Sequence, residues 1–187
     1  MSSDSPVRAS SLDRPAIVRA ALDLLDDVGF DGLSTRRLAD ALGIKGPSLY
    51  WHFRNMRELY DHMAEAMLEQ ALPAPEAYPG DWEAWLGAGA RNIRRVALSR
   101  RDGARILAGA RPTGTSTVLS FPHMVARLER EGFSRADATA SLRALGRYAV
   151  GWVLDEQMAM RAPEESEPFF EFGLKAMLAG IAQKRQT

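Results

Sequence analysis

The stretch "IKGPSLYWHFRNMR", residues 44–57, contains the residues whose types and spacing could do chemistry. The hydroxyls of Ser48 and Tyr50 can hydrogen-bond phosphate oxygens or base edges, and the ring of Pro47 can pack against a thymine methyl group. A proline at the start of a helix wastes no N–H donor, so the free N–H groups of the first turn can meet a phosphate. These groups indicate a surface that binds double-stranded DNA.

The charge of this region supports the same interpretation. The whole chain is neutral, with 24 basic and 24 acidic residues, but residues 34–57 hold five basic residues against one acidic residue. Such a local excess supplies the salt-sensitive affinity that a DNA-binding protein needs. The alternative is that Leu49, Trp51 and Phe53 are simply core and that the arginines form a solvated face. If the segment does bind DNA, we expect the same three side chains to anchor it to its own domain. The five basic residues are Arg36, Arg37, Lys45, Arg54 and Arg57.

The elements that must position these residues are helices. Helical periodicity dominates the chain, and no segment shows a convincing strand-like alternation of apolar and polar residues. Asp13 is a good N-cap for a first helix with Pro15 in its first turn, and Gly29 is the expected residue at its end. The pattern predicts an all-α protein.

Two short helices follow and match the helix-turn-helix plan. We expect the second helix to begin after Ser34 and to stop at Gly43, and the third to run from Pro47 to about Phe53. In this plan the later helix lies in the major groove with its N-terminal residues at the base edges.

The proline-rich stretch "PAPEAYPG" is the clearest break in the chain. We therefore predict a disordered leader at 1–10, a DNA-binding domain at 11–71 with its helix-turn-helix at about 34–53, and a second helical domain at 72–187. In the second domain Asp81 is an expected N-cap, and Ser134 with Asp137 resembles a capping box at the start of a long helix. The other predicted elements are a short turn around 103–109, a helix near 117–131, an acidic loop "RAPEESEP" and a final helix from about 168 to 184.

The composition argues against several other classes of protein. The chain has no cysteine, so it has no disulfide, thiolate metal site or cysteine nucleophile. No apolar run is long enough to cross a bilayer, and the N-terminus lacks the apolar stretch of a signal peptide. With three histidines, no glycine-rich phosphate loop and no HExxH motif, we expect no catalytic residues, no metal and no cofactor. A cytoplasmic location is the matching expectation.

The stretch "GLSTRRLADALGIKGPSLYWHFRNMREL" resembles the DNA-binding domain of the TetR family of transcriptional repressors. Gly46 departs from the pattern, because the tetracycline repressors carry a base-reading side chain there, and Met56 stands where they carry a phosphate-binding lysine. Lys45, Arg54 or Arg57 could supply the missing charge. The resemblance implies DNA contacts at Thr35, Arg36, Gly46, Pro47, Ser48, Tyr50 and His52.

The resemblance continues in "LSRRDGARILAGARPT", "EGFS" and "ALGRYAVGWVLDEQ", which are similar to the C-terminal domain of the tetracycline-repressor subgroup. It implies a homodimer formed through the last two long helices, a small-molecule effector and a palindromic operator. The last two helices contain four glycines that allow close approach, either across a dimer interface or within one chain. They are Gly146, Gly151, Gly173 and Gly180.

The effector pocket is expected to have mostly apolar walls with a few polar groups, although each residue could also be ordinary core. In the tetracycline repressors that this chain resembles, two histidines and an asparagine hold the tetracycline–magnesium chelate. Leu72, Leu107 and Gly89 stand at those three positions here. This chain therefore predicts a lipophilic effector without a metal ion, and a shortened 161–168 region that reduces the cover of the pocket. The candidate residues are Leu72, Trp85, Gly89, Ile93, Leu107, Phe121, Met124, Trp152 and Met158, with Arg111, His123 and Asp155 as polar groups.

The prediction that follows is a dimeric, ligand-responsive repressor that a small molecule releases from its operator. The helix at 57–72 would connect the pocket to the DNA-binding helices. Two alternatives stay open: a small-molecule-binding helical protein with a vestigial helix-turn-helix, for which Gly46 and Met56 argue, and a transcriptional activator of the same fold.

Overall fold

The computed structural model describes residues 12–71, 81–110, 116–160 and 162–185. These residues form helices and connecting turns and no strand, which confirms the all-α prediction. The expected leader at 1–10 lies outside the described residues. In chain order the helices are α1 Arg14–Val28, α2 Thr35–Ala41, α3 Gly46–Leu49, α4 Met56–Ala71, α5 Trp82–Leu98, α6 Gly103–Gly109, α7 Ser116–Arg130, α8 Arg135–Ala159 and α9 Pro163–Ala182.

The predicted helix caps are confirmed by their hydrogen bonds. The carboxylate of Asp13 accepts from the backbone N–H of Ala16 at 2.8 Å, and Ser134 Oγ accepts from the N–H of Asp137 at 3.1 Å. Gly29 ends α1 with a φ of 71°, a conformation that is easily adopted only by glycine. The side chains that begin these helices therefore satisfy N–H groups that would otherwise lack a partner.

Three predicted elements differ from the structure. The segment 103–109 is a helix and not a turn, and α3 ends at Leu49 and not near Phe53. After Leu49 the chain tightens, because the N–H groups of residues 50–52 bond to carbonyls three residues earlier. This tightening lets the chain turn into α4, which begins at Met56.

The third difference is that α9 begins at Pro163, so the stretch expected to be an acidic loop is the first part of the last helix. Pro163 occupies the first turn, where the missing N–H costs no hydrogen bond, and the acidic Glu164 and Glu165 suit the positive end of the helix dipole. Pro168 lies inside the helix, where we had expected its start. Contacts from Arg94 to the carbonyl of Pro163 hold this first turn against α5.

The core continues from the first helices into the later ones. Leu25 of α1, Met63 and Met67 of α4, and Ile106 of α6 belong to one buried cluster. A second cluster joins α5, α7, α8 and α9 around Trp85, together with aromatic and leucine side chains of the other three helices. Over the described ranges, no helix is both long enough and apolar enough to cross a membrane.

Candidate DNA-binding surface and ligand cavity

The turn between α2 and α3 has the geometry that a helix-turn-helix needs. Gly43 adopts a φ of 65°, its N–H bonds to the carbonyl of Asp40 at 3.1 Å, and the N–H of Ile44 bonds to the carbonyl of Ala39 at 3.0 Å. This pair of bonds is the Schellman arrangement, which ends a helix sharply. The buried side chains of Leu38 and Leu49 then hold α3 against α2.

All ten residues predicted to contact DNA lie at the surface. Tyr50 is 57% exposed, which is unusual for an aromatic side chain. Arg36 and Lys45 are exposed and form no ion pair within the described part of the chain. The exposed members are Arg36, Lys45, Pro47, Tyr50, Arg54 and Arg57, and the partly exposed members are Thr35, Gly46, Ser48 and His52.

Trp51 was expected to anchor α3 to the domain core, and this prediction was wrong. Its side chain is 87% exposed, whereas Leu49 and Phe53 are buried as predicted. Leu49 and Phe53 are four residues apart and share one face, because the N–H of Phe53 bonds to the carbonyl of Leu49 at 3.0 Å. Trp51 is two residues from each of them and therefore points away from that face. An indole beside Tyr50 combines a large ring with an N–H donor, which is typical of residues at binding surfaces.

The two arginines near the start of α4 are less free than Arg36 and Lys45. The Nε of Arg54 lies 3.7 Å from the carboxylate of Glu58. Arg57 is 3.5 Å from the carboxylate of Asp61, and its guanidinium donates to the carbonyl of Gly109. The structure therefore places Arg57 in the contact between α4 and the end of α6.

A second contact joins the α1–α2 turn to α6. Asp31 accepts two hydrogen bonds from Arg105, at 2.7 and 2.8 Å, and the guanidinium of Arg105 lies 4.3 Å from the ring centre of Phe30. The hydrogen bond from Arg105 lowers the pKa of the Asp31 carboxyl below its usual 3.8. The backbone N–H of Phe30 also donates to the carboxylate of Asp102 at 2.8 Å.

A cavity of about 460 Å³ lies between α4, α5, α6, α7 and α8. This volume is within the range typical of small-molecule sites. Of the predicted pocket residues, Trp85, Gly89, Ile93, Leu107, Phe121 and Met124 line it.

The remaining candidates lie elsewhere. Trp152 and Asp155 line a separate groove between α8 and α9, because they lie on a different face of α8 from Leu142, Gly146 and Val150, which line the cavity. Met158, near the end of α8, is 75% exposed, and His123 is exposed on α7. The candidates Leu72 and Arg111 lie outside the described residues.

Two charged residues of the cavity wall were missed at the sequence level. Arg143 and Arg147 of α8 line the cavity together with apolar side chains. Their spacing of four residues places them on one helix face, and this signal was available in the sequence. The spacing alone does not show that this face borders the cavity, which depends on how α8 packs against α5 and α7. The other lining residues not predicted are Leu68, Leu86, Ala90, Ala108, Ala110, Leu142, Leu145, Gly146, Val150 and Gly151.

One wall of the cavity is fixed by a buried aromatic–cation contact. The guanidinium carbon of Arg127 lies 4.7 Å from the ring centre of Trp85, and both side chains are buried. The indole N–H of Trp85 has no hydrogen-bond acceptor among the described residues. This contact orients a large ring at the cavity without using its donor.

The comparisons with known proteins agree on one family. Residues 17–63 match the family model "Bacterial regulatory proteins, tetR family", and residues 72–168 match "Tetracyclin repressor-like, C-terminal domain". The class A tetracycline repressor protein of Escherichia coli is 39% identical over 94% of this chain and 93% of its own length.

Solved structures show the same likeness. A variant TetR from Acinetobacter baumannii AYE, solved with minocycline, superposes with a TM-score of 0.83 at 38% identity, covering 95% of this chain and all of that one. BioQ bound to its natural double-stranded DNA operator gives a TM-score of 0.77 at 31% identity, covering 92% of this chain and 99% of that one. The chain therefore belongs to the TetR family of bacterial transcriptional regulators, with the family's helix-turn-helix at its N-terminus and a tetracycline-repressor-like C-terminal domain.

Proposed function

We propose that this protein is a dimeric repressor that binds a palindromic operator through the α2–α3 surface and releases it when a small molecule enters the cavity. The observation that carries this proposal is the path of α4. The helix begins at Met56, next to the α3 turn, and places Leu68 in the cavity wall. One helix therefore joins the DNA-binding surface to the ligand cavity.

The DNA contacts proposed are the ten surface residues predicted from the sequence, with Trp51 as an addition. The free charges of Arg36 and Lys45 are suited to phosphate oxygens, and Ser48 and Tyr50 to phosphates or base edges. Because Gly46 has no side chain to read a base, we expect the operator to differ from those of the tetracycline repressors.

The surface of α9 supports the dimer. Phe169 and Phe172 are 67% and 77% exposed, and Ala176 and Gly180 continue the same apolar stripe along the helix. Exposed apolar stripes of this kind mark protein–protein contacts. Gly173 lies apart from this role, because the ring of Tyr148 in the same chain packs against it. The dimer would thus use this exposed face of α9, together with α8 as the resemblance to the family implies.

The effector of this chain would be a lipophilic molecule and not a tetracycline–magnesium chelate. Leu107 and Gly89 line the cavity and have no side-chain atom that could bind a metal or a ligand hydroxyl. The minocycline complex belongs to the Acinetobacter relative. We further propose that the chain acts in the cytoplasm, where its operator would be, and that it has no catalytic activity of its own.

The test of the proposed function is a binding assay with the palindrome nearest the protein's own gene, at two salt concentrations. We expect a sequence-selective complex whose affinity falls steeply with salt, because phosphate contacts release counterions. Arg36→Gln and Lys45→Gln should each lower the salt dependence by about one unit of slope. Arg130→Gln, at an exposed position at the end of α7, is the control and should change neither the affinity nor the salt dependence. Failure to form any complex at low salt would support the vestigial helix-turn-helix instead.

A further inference from the structure

The cavity wall carries two positive charges and, among the described residues that line it, no negative charge. Arg143 and Arg147 lie one turn apart on α8, on the face that also presents Leu142 and Gly146 to the cavity. Every other lining side chain in the described ranges is apolar or is a glycine. The cavity is therefore an apolar site with a cationic side.

Neither arginine has an ionic partner in the described part of the chain. Arg143 lies 5.8 Å from the ring centre of Phe121, and neither guanidinium forms a hydrogen bond or an ion pair there. Both side chains are exposed, and Arg147 also borders the groove that contains Asp155. Other arginines of the C-terminal helices are paired: Arg91 bonds to Glu171, and Arg94 bonds to Glu156. Arg143 and Arg147 thus keep their N–H donors available to a bound molecule.

We propose that the effector is a lipophilic anion, with its apolar body in the cavity and its acidic group bound by Arg143 and Arg147. This inference rests on the proposed function, in which the cavity is the effector site. Guanidinium groups are planar donors that match the oxygens of a carboxylate or sulfonate, and such charge-assisted bonds are the strong ones. A neutral ligand of the same shape would gain nothing from the two guanidinium groups, which are exposed to solvent, and a cationic ligand would be repelled.

The charge requirement can be tested with two dyes that share a ring system. 1-Anilinonaphthalene-8-sulfonate is a lipophilic anion, and N-phenyl-1-naphthylamine is the same molecule without the sulfonate. Both are titrated by fluorescence into the wild-type protein and into Arg143→Gln, Arg147→Gln and the double variant. Competition between the two dyes, with one site per chain, shows that they occupy the same cavity.

We expect each single variant to weaken binding of the anionic dye about tenfold, and the double variant up to about a hundredfold, as the loss of charge-assisted hydrogen bonds predicts. Binding of the neutral dye should change less than twofold. The double Lys variant keeps both charges and should retain most of the affinity for the anion. Arg135→Gln, on the same helix but outside the cavity lining, is the matched control for loss of one charge.

Three results would overturn the proposal. The double Gln variant could bind the anionic dye as tightly as the wild type, or it could lose both dyes equally. It could also dissociate into monomers without losing affinity for the anion, which would assign the arginines to the dimer interface. Operator binding is measured on the same samples. If the DNA complex is intact but the dyes show no charge discrimination, only this inference fails, whereas the absence of any DNA complex would refute the proposed function.

Discussion

The buried ion pair between α5 and α8 makes a sharp prediction about stability. Arg94 donates to the carboxylate of Glu156 at 2.7 Å, and the two residues are 8% and 1% exposed. Arg94 also donates to the carbonyl of Pro163 and lies over the ring of Phe170 at 5.1 Å, while the hydroxyl of Ser166 bonds to Glu156. Removing Arg94 would leave a carboxylate that is 99% buried without its counter-charge.

We expect Arg94→Met to lower the free energy of unfolding by about 3–5 kcal/mol, the usual cost of an uncompensated buried charge. For a chain of this length the melting temperature would fall by about 6–20 °C. The double variant Arg94→Met with Glu156→Leu should recover most of the loss, because two apolar side chains can replace a buried pair at little cost. The second oxygen of Glu156 already lacks a partner among the described residues, which favours this recovery.

The control is Arg91→Met, on the same helix. Arg91 bonds to Glu171 at 2.6 Å, but its side chain is 47% exposed, so its loss should cost about 0.2–1 kcal/mol. Urea unfolding of all variants is followed at one protein concentration, because dimerisation makes the apparent stability depend on concentration. If Arg94→Met cost no more than Arg91→Met, the reasoning from burial would be refuted.

Further predictions concern three exposed side chains. Trp51→Ala should leave the helical content unchanged and weaken operator binding about three- to tenfold, as measured by fluorescence anisotropy, and an unchanged affinity would remove Trp51 from the DNA surface. Because the pKa of Asp31 is lowered by Arg105, its contribution to stability is present above pH 3.8 and is lost as the pH falls through the lower folded-state value. The free energy of unfolding should therefore fall less steeply with decreasing pH in Asp31→Asn than in the wild type. An identical dependence on acid pH in both proteins would contradict this. Phe172→Ser should weaken the dimer in sedimentation velocity without unfolding the chain, and a dimer of undiminished strength would exclude this face of α9.

Local signals explain which parts of the fold could be predicted from the sequence. The starts of α1, α2 and α8 follow from Asp13, Ser34 and Ser134, because each carries a side-chain oxygen that caps its own helix. The start of α9 could not be predicted in this way. Its cap residue, Ala162, makes no side-chain bond, and tertiary contacts from Arg94 hold the first turn.

The candidate site shows the same division between local and tertiary information. Seven of the ten DNA-contacting candidates came from the family motif and three, Lys45, Arg54 and Arg57, from the local positive charge, and all ten lie at the surface. Trp51 was misplaced although its spacing was informative, because a residue two positions from both Leu49 and Phe53 cannot share their buried face on a helix. Arg143 and Arg147 were missed because only the packing of α8 against α5 and α7 shows which of its faces lines the cavity.

The contacts of α4 set a limit on how an effector could release DNA. An effector acts only through its preference for the non-binding state, and a hundredfold loss of operator affinity requires about 2.7 kcal/mol of preference. The hydrogen bond from Arg57 to the carbonyl of Gly109 connects α4 to the end of α6, where Leu107 lines the cavity. One such bond contributes about 1 kcal/mol, which is too little by itself. The remaining free energy must come from buried side chains of α4, such as Met67, that pack against α5 and α6. Release therefore requires this packed face of α4 to differ between the two states, in addition to the Arg57 contact.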